Sequence, residues 1–176
     1  MSSQSSQEGY WRQAAQEYGA ALERLAWAYE ADSDRRRDLL QEIHLALWRS
    51  FAAFDGRCSL RTWVYRVAHN AAISHAIRRR KRNAPVFLSL EEIEALPDSQ
   101  DLEATAGREQ ALARLLALVQ QLDWIDRQLI LAYLEDLDAD SISQITGLSV
   151  ANVWTKLHRI KNVLIRRFYS GATDAK

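Results

Sequence analysis

Glycine and proline are scarce in this chain, and where they fall divides it. Six glycines and two prolines in 176 residues supply too few turn formers for strands joined by tight hairpins. Helix is the remaining default, and apolar residues recur at helical spacing through most of the length. Both prolines, Pro85 and Pro97, lie in the stretch NAPVFLSLEEIEALPDSQDLEATAG (83–107), which also gathers acids and has no basic residue. This change of texture predicts a flexible acidic linker with one short helix at Leu90 to Ala95. The expected fold class is therefore all-α, with two small helical domains joined by the linker, the second containing a helix-turn-helix. The boundaries expected from this reading are a disordered lead-in at 1–9, a first domain at 10–83, the linker at 84–107, a second domain at 108–170 and a tail at 171–176.

Charge is balanced overall at 23 basic and 23 acidic residues but strongly segregated. From Gly56 to Leu90 there is no acid, yet Arg57, Arg61, Arg66, Arg78, Arg79, Arg80, Lys81 and Arg82 occur there. Such a stretch calls for a polyanionic partner. Ser59 is positioned to cap a helix whose apolar residues Leu60, Trp63, Val64, Val67, Ala71 and Ile77 recur at helical spacing. The opposite face would carry Arg61, Thr62, Arg66, Asn70 and Ser74. Ahead of it, Tyr10 to Tyr29 forms one amphipathic helix. After a loop at Ala31 to Asp34, a second helix has Leu39, Leu40, Ile43, Leu47, Trp48 and Phe51 on its buried side and Asp38, Gln41, Glu42 and Arg49 outward.

The second domain begins with the amphipathic run ALARLLALVQQL, and Asp123 is placed to cap the next helix. DADSISQITGLSVANVWTKLHRIKNVLIRRF follows. Here Asp138 caps a short helix with Ile142 and Ile145 inward, Gly147 supplies the left-handed turn residue, Leu148 fills the corner and Ser149 caps a second helix. Val153, Leu157, Ile160 and Leu164 make the inward stripe of that helix, and Asn152, Thr155, Lys156 and Arg159 face outward near its start. Those side chains reach base edges and phosphates when such a helix enters a major groove.

Other classes find little support. The lone Cys58 allows no internal disulfide and fits a reducing cytosol, and His44, His69, His75 and His158 show no ligand spacing, so no metal or cofactor is expected. No apolar run is long enough to span a bilayer, which leads to the expectation of a soluble cytoplasmic protein without membrane insertion. There is no acid cluster for two-metal chemistry, no phosphate-cradling glycine loop and no paired nucleophile and base, so an enzyme is not expected.

Two motif blocks resemble the sigma factors of bacterial RNA polymerase, specifically the extracytoplasmic-function (ECF) group. DLLQEIHLALWRSFAAFDGRCSLRTWVYRVAHNAAISHAIRRRKR resembles the core of sigma domain 2, and LDWIDRQLILAYLEDLDADSISQITGLSVANVWTKLHRIKNVL resembles the helix-turn-helix of sigma domain 4. The resemblance implies that Asp38, Gln41, Glu42 and Trp48 dock on core RNA polymerase. It implies that Phe54, Asp55 and Ser59 belong to the loop that captures an unstacked base of the −10 element, with Arg61, Trp63, Arg66 and Asn70 on the adjoining melting helix. Flipping a base costs a few kcal/mol, which a pocket with aromatic stacking offsets. Arg78, Arg79, Arg80 and Arg82 would hold upstream phosphates, and Ser149, Asn152, Thr155, Lys156 and Arg159 would read the −35 element. An anti-sigma factor is the further partner implied. Departures from the family pattern are His44 for a frequent Phe, Ser74, Ser141 and Ser143 at positions where acids or Ala are usual, Trp154 for a polar or basic residue and Lys156 for Arg. The alternative is a stand-alone helix-turn-helix regulator of duplex DNA. It leaves the Asp38 to Trp48 face without a role and lacks a heptad seam for dimerisation.

Overall fold

The computed structural model describes residues 2–80, 90–95 and 107–170, with side chains described for 6–79, 90–93 and 107–169. All regular elements among these residues are helical. They are α1 (Ser2–Tyr29), α2 (Ser33–Ser50), a single 3-10 turn (Phe51–Ala53), α3 (Leu60–Arg80), α4 (Leu90–Ala95), α5 (Arg108–Val119), α6 (Trp124–Leu134), α7 (Ala139–Thr146) and α8 (Val150–Ser170). The all-α expectation holds, and α4 falls where the linker helix was expected.

Helices α1, α2 and α3 pack on one another. Leu22, Leu25, Leu39, Ile43, Leu47, Phe51, Val64 and Ala68 are buried between them. In the second domain Leu116, Val119, Leu122, Leu129, Ile142, Ile145, Val153, Leu157, Ile160 and Leu164 are buried among α5 to α8. Each aliphatic side chain of this size stabilises its domain by about 1.5–3 kcal/mol on full burial.

The helix starts are set by side-chain caps. Asp32, Asp123 and Asp138 accept from the backbone N–H of Arg35, Asp126 and Ser141, and Ser59 Oγ accepts from Thr62 N at 3.0 Å. Ser149 does the same for Asn152 N at 3.3 Å. These contacts satisfy donors that a helix N-terminus leaves open. Gly147 sits at φ 77°, the left-handed conformation that lets α7 turn into α8 without a Cβ penalty.

Helix α1 starts earlier than expected. Residues 2–9, expected as part of a disordered lead-in, are helical. Their anchors are long-range: Gln7 Nε2 donates to Trp48 O at 2.7 Å, and Tyr10 packs on Phe51 and edge-on against Phe54 at 5.1 Å. Helix α3 is rotated relative to its expected faces. Val64, Tyr65, Ala68, His69 and Ala72 are its buried stripe, Thr62 is 2% exposed, and Ile77 is 45% exposed. The reason is that α3 packs not only on α1 and α2 but also on α7 and α6 of the second domain.

Candidate nucleic-acid interface

Three surfaces carry the residues singled out by sequence. On α2, Asp38, Gln41 and Trp48 are exposed, as is Leu45, which shares their face one turn after Gln41. Trp48 and Leu45, with Trp11, His44, Gln7 and Glu8, line a groove of about 620 Å³. Leu45 and Trp11 were not singled out by sequence, although the i, i+4 spacing of Gln41 and Leu45 was the signal available. Glu42 is turned sideways and half-buried, pairing with Arg78 and lying 3.3 Å from His75 Nδ1.

The second surface surrounds the start of α3. Phe54 is half-buried in an aromatic cluster, 5.2 Å from Trp63 and 6.4 Å from Phe51 between ring centroids. Trp63 Nε1 donates to Ser50 Oγ at 2.9 Å, which fixes the indole so that Arg66 stacks over it at 4.7 Å. Asp55 accepts from Arg57 N at 3.1 Å and pairs with its guanidinium at 2.9 Å. Gly56, at φ 75°, permits the turn between them. Asn70 is exposed one turn further on. Arg79 pairs with buried Glu30. Arg80 closes α3, but its side chain lies outside the described residues, as does Arg82 entirely.

The third surface is the N-terminal part of α8. Asn152, Thr155 and Trp154 are exposed there, Trp154 to 59%. Arg159 is exposed as expected and Lys156 partly so, and each is engaged by an acid. Lys156 donates to Asp126 at 2.7 Å, while Arg159 pairs with Glu91 of the acidic helix α4. Asp126 is nearly buried, and desolvation raises its pKa despite the opposing hydrogen bond from Lys156. Lys156 therefore neutralises a carboxylate within its own domain. Helix α4 seats Leu90 and Ile93 as buried residues and packs on α8.

The two domains also touch directly. Glu135, in the turn after α6, accepts from Arg24 Nε and Nη2 at 2.6 and 2.7 Å and from the Tyr65 hydroxyl at 3.2 Å. Its backbone oxygen accepts from Arg61. Thr62 Oγ1 donates to Ser141 Oγ at 3.2 Å. Nearby, Gln120 Nε2 donates to Trp27 O at 2.7 Å, and Tyr29 stacks on Trp124 at 6.4 Å with an interplanar angle of 7°. Arg127 lies over the Tyr29 ring at 5.2 Å while its guanidinium caps α5 through the carbonyls of Val119, Gln120 and Leu122. Burial lowers the Arg127 pKa to about 10.

Comparison with known proteins assigns these surfaces a family. Residues 14–83 match the family model Sigma-70 region 2, and residues 112–164 match Sigma-70, region 4. RNA polymerase sigma factor YlaC of Bacillus subtilis is 30% identical over 131 residues, 71% of this chain and 72% of that protein. RNA polymerase sigma-H factor of Pseudomonas aeruginosa is 26% identical over 140 residues, covering 76% of this chain and 72% of its own length. The Bartonella quintana sigma factor RpoE, solved in complex with the anti-sigma factor NepR, has the same fold, with a TM-score of 0.65 at 17% identity over 93% of this chain and 97% of that one. With regions 2 and 4 together spanning most of its length and a relative of this identity, the chain belongs to the sigma-70 family of RNA polymerase sigma factors, in its ECF group.

Proposed function

We propose that this chain is a transcription initiation factor that binds core RNA polymerase, directs it to promoters with −35 and −10 elements and promotes melting of the −10 region. The observation that carries this reading is the combination of two surfaces in one chain. An exposed helix face at Asp38, Gln41, Leu45 and Trp48 suits a protein partner, and a separate helix-turn-helix presents Asn152 and Thr155 at the start of its second helix. A stand-alone duplex-binding regulator would need only the second. Phe54, Trp63 and Arg66 supply the aromatic and stacked cationic surface that holds a single-stranded base, and phosphate contacts make the DNA binding salt-sensitive. The factor contributes positioning and binding, with no catalysis of its own. Among the described residues no helix is long and apolar enough to cross a membrane, in keeping with action in the cytoplasm beside polymerase. An anti-sigma factor is the expected inhibitor.

Assembly with core polymerase tests this directly. The purified chain should co-elute with core enzyme on size exclusion, and Asp38→Lys with Gln41→Lys should abolish co-elution while leaving helix content unchanged. Co-elution that is indifferent to both substitutions would remove the α2 face from the polymerase contact.

A further inference from the structure

We propose that Gln7, Glu8 and Trp11 of α1 form, with His44, Leu45 and Trp48 of α2, a groove that receives an amphipathic helix of core RNA polymerase, so that the polymerase contact extends from the α2 face onto the start of α1. The inference rests on the assignment of that α2 face to polymerase. Residues 14–83 carry the match to Sigma-70 region 2, so the α1 wall of the groove lies ahead of the part shared with the family. Helices α1 and α2 run antiparallel, and two contacts fasten the start of one to the end of the other. Gln7 Nε2 donates at 2.7 Å to Trp48 O, a carbonyl in the last turn of α2, where a helix end needs donors from outside. One turn along α1, the Trp11 ring meets the His44 ring edge-on at 6.4 Å between centroids. Gln7 is 9% exposed, yet Leu45 and Trp48 beside it remain 47% and 46% exposed. The clasp therefore holds the wall in place without folding α1 over the apolar side chains.

Continuity with the α2 face points to polymerase as the occupant. Large apolar side chains that stay exposed together mark an interaction surface. Asp38, Gln41, Leu45 and Trp48 follow one another at three- and four-residue spacing, so face and groove form one stripe, about 15 Å long at 1.5 Å per residue. A stripe of this length, walled on one side by a second helix, takes about three turns of a third. Its apolar face would lie on Leu45, Trp48 and Trp11. At the other end Asp38 is exposed and makes no ion pair among the described residues, which suits a basic side chain on the incoming helix. Burial lowers the His44 pKa, so its ring is uncharged at neutral pH, as an apolar occupant requires.

Titration of the fluorescently labelled full chain with purified core polymerase, read by anisotropy, tests the groove. Trp11→Ala is expected to weaken binding about tenfold, as loss of an aromatic anchor does. Trp11 also packs on His44, so a second measurement separates contact from folding. The photoreactive residue benzoylphenylalanine is placed at position 8, in the α1 wall, and separately at position 13, where Gln13 is exposed on the side of α1 opposite Trp11. Irradiation with core polymerase should join position 8 to a polymerase subunit and leave position 13 unjoined. Unchanged affinity of Trp11→Ala would overturn the groove, as would the absence of a polymerase crosslink from position 8, including the case in which two copies of the chain are joined instead. Asp38→Lys with Gln41→Lys, titrated in parallel, reports on the α2 face itself. If that variant loses binding while Trp11→Ala keeps it, the groove falls and the α2 assignment stands. If that variant binds like the parent chain, the assignment falls and the groove with it.

Discussion

Replacing Lys156 with Ala separates its ion pair with Asp126 from the promoter contact proposed for it on α8. Its amino group lies 2.7 Å from Asp126, whose side chain is 6% exposed, whereas that of Lys156 is 40% exposed. Breaking a fully buried pair costs about 3–5 kcal/mol, and an exposed pair contributes about 0–1 kcal/mol. Water reaches this pair from the lysine side, so the expected loss falls between these limits at about 2 kcal/mol. Burial already raises the Asp126 pKa above 3.8, and without Lys156 it rises further. A carboxyl with a raised folded-state pKa contributes its full stabilisation below the unfolded pKa and loses it as pH rises through the folded one. The variant should therefore be destabilised more at about pH 7.5 than at about pH 4.5. Urea unfolding followed by circular dichroism at both pH values measures the difference. Equal destabilisation at both would refute the coupling to Asp126. Unchanged stability with lost promoter selection would make Lys156 a DNA reader after all.

Three further variants probe other parts of the structure. Arg127→Ala removes the guanidinium donor from the carbonyls of Val119, Gln120 and Leu122, of which Val119 keeps its bond from Leu122 N, and should cost about 3–5 kcal/mol in urea unfolding; a loss under about 1 kcal/mol would show that the cap is dispensable. His69 is buried against the Tyr29 hydroxyl at 3.1 Å, and desolvation lowers its pKa from 6.5 to about 3. Its stabilising contribution is complete above the unfolded pKa and is lost as pH falls towards the folded one, with a slope of up to about 1.4 kcal/mol per pH unit. His69→Gln should flatten that acid limb, and an unaltered limb would assign it to other groups. Asn152→Ala with Thr155→Ala should reduce discrimination between promoter and mismatched −35 duplexes by about tenfold or more without altering polymerase binding, measured by competition with holoenzyme.

Local features were the legible part of the sequence. Ser59, Asp123, Asp138 and Ser149 cap helices because their side chains reach N–H groups two or three residues on, and Gly147 makes the helix-turn-helix corner through its own backbone. The inward stripes Ile142, Ile145, Val153, Leu157, Ile160 and Leu164 followed from helical period alone. What periodicity missed depends on distant partners. Thr62 reads as a polar outer-face residue and is buried because Ser141 and α7 cover it. Residues 2–9 read as polar lead-in and are helical because Gln7 and Tyr10 find partners some forty residues away. The engagement of Lys156 by Asp126, Arg159 by Glu91 and Arg24 by Glu135 is likewise invisible to a local reading, since any exposed base can choose among many acids. The segregation of charge along the chain did foreshadow it: the acidic helix α4 lies on the basic helix α8.

Run-off transcription distinguishes an initiation factor from a regulator that binds DNA alone. Core polymerase is incubated with and without the purified chain on fragments of the source genome, including the region upstream of its own gene. Discrete new transcripts that require the chain are expected, and they should disappear when positive charge is placed on the exposed α2 face by Asp38→Lys with Gln41→Lys. Absence of such transcripts, together with tight duplex binding by the chain alone, would contradict an initiation factor and point to a regulator that acts without polymerase.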